Sequence, residues 1–176
     1  RFIFVGRDER RKGINELNYA ISRLKTMHRE KAEFHFVGPV REQKKLKKTN
    51  VIYHGEIRDS EKIRKILRTC DILICPSYSE GMPNVILEGM ASGCTVIATD
   101  VGAVALLLDE SNGMLVEAGN KQALLSALTS MLEMPPEKLM DLKKNAVKKA
   151  AKYTWEAIVS ETIEKLNKII HKAQNE

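Results

Sequence analysis

Two glutamates, Glu80 and Glu88, flank a helix start in the segment Pro76-Ser77-Tyr78-Ser79-Glu80-Gly81-Met82-Pro83-Asn84-Val85-Ile86-Leu87-Glu88-Gly89-Met90-Ala91. Pro83 fits the first helical position, where its missing N–H removes nothing. Val85, Ile86, Leu87, Met90 and Ala91 then cover most of the circumference, which predicts a buried helix. Asn84, Glu88 and Ser92 form its only polar stripe. A carboxylate beside such a helix is costly unless something hydrogen-bonds to it, and the nearby sequence offers no obvious base. A ligand rich in hydroxyls would serve. A solvated rim position, or a distant base, is the other reading. Vicinal hydroxyls suit a carboxylate, so the two acids can grip two sugar rings, Glu88 a ribose and Glu80 a second sugar. Gly81 and Met82 add backbone N–H groups at the helix start. A general acid and base is the rival use of two carboxylates.

A second constellation follows the first apolar run. Gly6-Arg7 and Lys12-Gly13 bracket a turn that leads into a helix near Ile14. Two cations, open amides and a helix N-terminus make a cradle for a diphosphate. The lysine precedes the second glycine and no Ser or Thr follows, so this is not a Walker loop, and the G-x-G-x-x-G spacing is absent. Arg10 and Arg11 compete for the same role. His54 follows a strand-like run and either faces a cleft or is a structural or solvated histidine.

These residues need elements to hold them. Short β-branched or aromatic runs at Phe2–Val5, Glu33–Val37, Val51–Tyr53, Ile72–Cys75, Thr95–Ala98 and Gly113–Val116 read as strands. Helical patterns near Ile14–His28, Val40–Lys47, Ser60–Thr69, Pro83–Ser92 and Ala103–Leu108 alternate with them. The expectation is an α/β fold, a doubly wound, Rossmann-like, mostly parallel sheet of about six strands flanked by helices. An all-helical C-terminal part follows, with helices over Lys121–Leu132, Glu137–Ala151 and Thr154–His171. No linker divides the chain, so residues 1–176 read as one domain. Ligands of such sheets bind where strands end. Glycine recurs in all five strand-end turns, which lets backbone amides approach a ligand closely, although turn chemistry also asks for it.

Composition narrows the choice. Of 176 residues, 43% are hydrophobic and 30% charged, as in an ordinary soluble globular domain. No apolar run approaches the roughly 20 residues of a spanning helix. The chain opens on a strand without a signal peptide or initiator methionine, which suggests a piece of a longer protein. Cys70, Cys75 and Cys94 read as buried free thiols of a reducing compartment, so the expected location is cytoplasmic. The net charge of +6 is concentrated in Arg41 to Lys48 and Lys138 to Lys152. Solvated helix faces account for this; an anionic membrane surface, with the protein peripheral on its inner face, is the functional alternative. Nucleic acid is not expected, because few aromatics accompany the charges and no recognition motif appears. No metal-ligand spacing is visible.

Taken in order, Gly6-Arg7 with Lys12-Gly13, the strand Asp71 to Ser77, and Glu80 with Glu88 as E-x7-E resemble one family. So do Ala91-Ser92-Gly93-Cys94-Thr95-Val96-Ile97-Ala98-Thr99-Asp100 and Asn112-Gly113-Met114-Leu115-Val116. The chain resembles the C-terminal, donor-binding half of retaining GT-B glycosyltransferases, family 4 type, also called glycosyl transferases group 1. The resemblance implies that Arg7 and Lys12 hold the diphosphate of a nucleotide sugar, Glu88 binds its ribose and Glu80 contacts the donor sugar. Gly81, Met82 and Pro83 would line the sugar–phosphate path, with Gly6, Gly13 and Asn84 beside it and the backbone near Ile57 at the base. It implies a UDP- or GDP-sugar sooner than an ADP-sugar, no further cofactor or metal, and an acceptor-binding N-terminal domain lying outside this chain. It also implies polysaccharide biosynthesis and little turnover by this piece alone. Two departures stand out: Thr95 where proline is usual, and Gly102-Ala103-Val104-Ala105-Leu106 where the family commonly has Gly-Gly-x-x-Glu. A nucleotide-sugar epimerase-like GT-B enzyme and a receiver-type regulatory α/β domain are the alternatives.

Overall fold

The computed structural model describes residues 1–174. Six strands, β1 (Phe2–Val5), β2 (Phe34–Val37), β3 (Val51–Gly55), β4 (Ile72–Cys75), β5 (Thr95–Thr99) and β6 (Gly113–Val116), form one sheet in the order β3-β2-β1-β4-β5-β6. All five pairings are parallel. That order excludes the receiver-type alternative, whose sheet runs 2-1-3-4-5.

Side chains on a strand alternate between faces, and each face is buried under its own helices. Phe2, Phe4, Phe34 and Phe36 share one face with α1 (Ile14–Arg23) and α6 (Lys121–Glu133). Phe2 stacks on Phe34 with centroids 5.0 Å apart. Ile3, Val37, Leu73, Val96 and Ala98 point the other way, onto α3 (Ser60–Thr69), α4 (Asn84–Ala91), α5 (Val104–Leu107) and part of α7 (Pro136–Ala150). The three cysteines are buried and free, Cys94 donating to the carbonyls of Leu67 and Cys70.

Three helical expectations are corrected. The helix expected over Ile14–His28 breaks at Leu24, whose extended backbone (ψ 135°) drops its side chain into the core before α2 (Thr26–Arg29) begins. Val40–Lys47 forms only a 3-10 turn at Glu42–Lys44. There the basic side chains are drawn to partners elsewhere, Arg41 and Lys44 to Asp8. Pro83 is the extended residue before α4, with ψ 93°, and not its first helical residue. The last helix, α8 (Trp155–Gln174), is capped by Thr154, whose hydroxyl accepts from the Ala157 amide at 3.2 Å. It carries Trp155, Ile158, Ile163, Leu166 and Ile169 exposed. Among the described residues, no helix is long and apolar enough to cross a membrane.

Candidate functional site

Strand order reverses between β1 and β4, so the loops after these strands face each other across the crevice in which doubly wound sheets take ligands. The β1–α1 loop carries Gly6, Arg7, Lys12 and Gly13; the β4–α4 loop carries Ser77, Glu80, Gly81, Met82 and Pro83. Gly13 and Gly102 hold the loops in contact. A Cβ on Gly13 (φ 67°) would stand 1.8 Å from the Pro76 carbonyl oxygen, and one on Gly102 (φ 57°) 1.8 Å from that of Glu80. These two turns need glycine so that backbone can pack on backbone.

Across that contact Lys12 Nζ lies 2.6 Å from Glu80 Oε1, and Ser77 Oγ donates to the same oxygen at 2.6 Å. The Lys12 and Glu80 side chains are only 16% and 8% exposed. Burial pushes the Glu80 carboxyl up, but the hydrogen bonds from Lys12 and Ser77, with the nearby charges of Lys12 and Arg11, outweigh it and hold the group below the ordinary glutamate range. Arg7 is exposed on the same loop and makes no ion pair among the described residues. Its competitors are engaged elsewhere: Arg11 with Glu9 at 2.7 Å, and Arg10 over the Tyr78 ring at 5.9 Å.

Sequence reasoning missed the brace under Arg7. Asp8 accepts from Arg41 Nε at 2.7 Å and Lys44 Nζ at 2.6 Å, with its side chain 4% exposed. The Arg41 hydrogen bond first, and then Lys44, prevail over burial and bring its carboxyl down to about 2. The signal was an acid beside Arg7 and a basic run, Arg41 to Lys48, on the next loop of the same sheet edge.

A groove of about 340 Å³ runs from Gly6 and Arg7 past Gly38 to Ile57, Arg58 and Ile63. A second, of about 420 Å³, shares Arg58 and Ile63 and follows α3 and α4 to Glu88, Ala91 and Ser92. Glu88 is exposed along this groove, the rim position, because α3 leaves the Asn84–Glu88 side of α4 uncovered. It has no ion-pair partner among the described residues, and partial burial raises its carboxyl. The expectation that Val85, Ile86, Leu87, Met90 and Ala91 are all buried is corrected: Ile86 and Met90 are buried, Val85 and Leu87 are half-buried, and Ala91 is exposed. Arg58, missed in the sequence, joins the two grooves. Gly81, Met82 and Asn84 are exposed, and Pro83 is buried beneath them. Glu80 lies in the crevice and Glu88 on the α3–α4 groove.

Other features fall outside the crevice. A larger cavity, about 700 Å³, lies between β6, α6 and α7 and touches none of these residues. His54 stacks on His35, ring nitrogens 3.0 Å apart, within the sheet. Within the Gly102 turn, the Ala103 amide donates to the Gly81 carbonyl at 3.1 Å, while Leu106 is exposed. No group of three or more His, Cys, Asp or Glu side chains suited to a metal occurs among the described residues.

Residues 1–134 match the family described as glycosyl transferases group 1. TuaC of Bacillus subtilis (strain 168), whose name places it in teichuronic acid biosynthesis, is 38% identical over 127 residues, 72% of this chain and 31% of its own. Among solved structures, the C-terminal domain of a glycosyl transferase group 1 family protein (LpcC) from Francisella tularensis superposes with a TM-score of 0.73 at 28% identity. It covers 86% of this chain and 85% of that domain. HepE of Anabaena, solved with UDP and with UDP-glucose, shares the fold. Its UDP complex gives a TM-score of 0.78 at 22% identity over 95% of this chain and 48% of HepE. The chain spans less than half the length of the curated relatives it matches first. Its order of strands and motifs, and these likenesses, make it a member of the glycosyl transferases group 1, with the fold of their C-terminal GT-B domain.

Proposed function

We propose that residues 1–176 are one nucleotide-sugar-binding domain, the donor half of a retaining glycosyltransferase. The observation that carries this reading is the Lys12–Glu80 contact at the point of strand reversal, with Arg7 on the same loop and a groove leading to Glu88. Arg7 and Lys12 bind the diphosphate, Glu80 the donor sugar and Glu88 the ribose. Gly6, Gly13, Gly81, Met82, Pro83 and Asn84 shape the path between them, and the backbone at Ile57 meets the base. When the sugar–phosphate bond breaks, charge grows on the departing diphosphate, and cations fixed there favour that state. At an effective dielectric of about 20 and ~4 Å, such a contact is worth on the order of 4 kcal/mol. Glu80 already offsets part of the Lys12 charge, so the unpaired Arg7 carries more of this effect.

These side chains can neutralise the phosphates without a metal or further cofactor. A uridine or guanosine donor is favoured over adenosine; the UDP and UDP-glucose complexes of HepE support the former. Retention follows from the family resemblance. The acceptor and its activating residues belong to another part of a longer protein, working in the cytoplasm on polysaccharide precursors. The exposed apolar face of α8 supports a contact with that part.

Thermal unfolding with UDP, GDP, ADP and their sugars tests the reading. A ligand at a hundredfold excess over its Kd adds about 2.7 kcal/mol, or roughly 5–10 °C for a chain this size. Glu88→Ala should abolish the shift and leave the ligand-free Tm unchanged, since Glu88 makes no ion pair to lose. If no nucleotide raises the Tm of the natural sequence, the reading fails. Sugar transfer by this chain alone would refute the need for a second part.

A further inference from the structure

Both bonds to the Glu80 carboxylate end on one oxygen. Lys12 Nζ and Ser77 Oγ each reach Oε1 at 2.6 Å, and Oε2 has no partner among the described residues. Ser77 is itself fixed. Its side chain is 1% exposed, its hydroxyl lies 3.7 Å from Cys75 Sγ, and its carbonyl accepts from the Thr99 hydroxyl on β5. The Ser77 hydroxyl is sealed from solvent and gives its proton to Glu80, so no nucleophile role fits it.

We infer that Ser77 is a positioning residue: by occupying Oε1 it locks the Glu80 carboxylate in one orientation and leaves Oε2 as the acceptor for a donor-sugar hydroxyl. The sugar half of this inference rests on the donor reading above; the positioning half does not. Thr99 acts one step further back, by holding the Ser77 backbone against the end of β5. The groups facing Glu80 are Lys12 and Arg11 from the β1–α1 loop, Cys75 at the end of β4, Ser77 from the β4–α4 loop, and Thr99 through Ser77. Of these only Lys12 and Arg11 carry charge at neutral pH, so removing the Ser77 hydroxyl takes away a bond without altering the local charge.

The test follows the Glu80 carboxyl by carbon-13 NMR in the ligand-free chain, with Glu80→Gln to assign the signal. Ser77→Ala should raise its titration midpoint by about one pH unit, the effect of one hydrogen bond to a carboxylate. Thr99→Val, which keeps the shape, should raise it less. In parallel, UDP and UDP-glucose are titrated calorimetrically. Ser77→Ala should lose about tenfold of the preference for UDP-glucose over UDP, with UDP itself changed far less. An unmoved midpoint in both variants overturns the positioning role. A moved midpoint with UDP-glucose bound no better than UDP overturns the sugar role of Oε2 alone. Failure of UDP to bind at all instead removes the donor reading.

Discussion

At the closed end of the site, between the β1–α1 and β4–α4 loops, Lys12, Glu80 and Ser77 are bonded to one another and nearly sealed from solvent, whereas at the open end, on the α3/α4 groove, Glu88 and Arg58 stand exposed. Arg58 has only a 3.4 Å contact with Glu56, its side chain 88% exposed. The first arrangement is settled by folding. Its charges cancel inside the protein, so the loop geometry exists before any ligand arrives. The second has its charges in water and gains order only from what binds. A site built this way separates stability from affinity: changes at the closed end should disturb both, and changes at the open end affinity alone.

The largest effect tests the closed end. Lys12→Met leaves Glu80 buried with Ser77 as its one remaining partner, and stranding one member of a buried pair typically costs several kcal/mol. A loss of about 3 kcal/mol, or roughly 6–12 °C in Tm, is expected at pH 7. Adding Glu80→Gln to Lys12→Met should recover much of it, because the stranded charge is gone. If Lys12→Met and Glu80→Gln prove additive in thermal unfolding, the two do not act as a pair, and the contrast between the ends collapses.

The Asp8 brace comes next. Its carboxyl sits at about 2 in the folded chain against 3.8 ordinarily, with the Arg41 hydrogen bond as the leading cause. A depressed acid contributes stability in full above about pH 4 and loses it as pH falls towards 2. The contribution is on the order of 2 kcal/mol. Asp8→Asn should lower stability by about that much at pH 7 and flatten the acid limb of the unfolding curve between pH 4 and 2. An unchanged acid limb would show that Arg7 sits on a loop needing no brace.

The sheet was legible because its strands are buried on both faces and read as unbroken apolar runs; β1, β4 and β6 begin and end where the pattern places them. Glu80 and Lys12 were found by residue type and turn position, but their bond was not, since it joins residues 68 apart in sequence. Helix ends were less legible. Leu24 and Pro83 follow the demands of core and crevice against their local preferences. The basic run Arg41 to Lys48 looked helical because periodicity cannot register that Asp8, on another loop, captures two of its side chains. Arg58 passed unnoticed for a related reason: nothing local marks the residue at which two grooves meet.

The smallest effect lies beneath the open end. His35 and His54 are stacked with ring nitrogens 3.0 Å apart, and β3 ends one residue after His54, leading into Glu56 and Ile57. Burial is the leading cause that lowers both imidazoles below 6.5; for His35 the charge of His54 adds to it, and Glu33 opposes it. The folded chain therefore takes up protons less readily than the unfolded one, so stability declines as pH falls below about 6.5. The Tm should therefore fall between pH 7 and 5. His54→Gln can keep a hydrogen bond to His35 but does not titrate, and should make that slope shallower. Since β3 delivers Ile57 to the groove, the affinity for UDP should weaken over the same interval in the natural sequence and weaken less in His54→Gln. A parallel decline in both would mean that the open end is indifferent to the strand beneath it, and that exposure alone, not its support, sets how it binds.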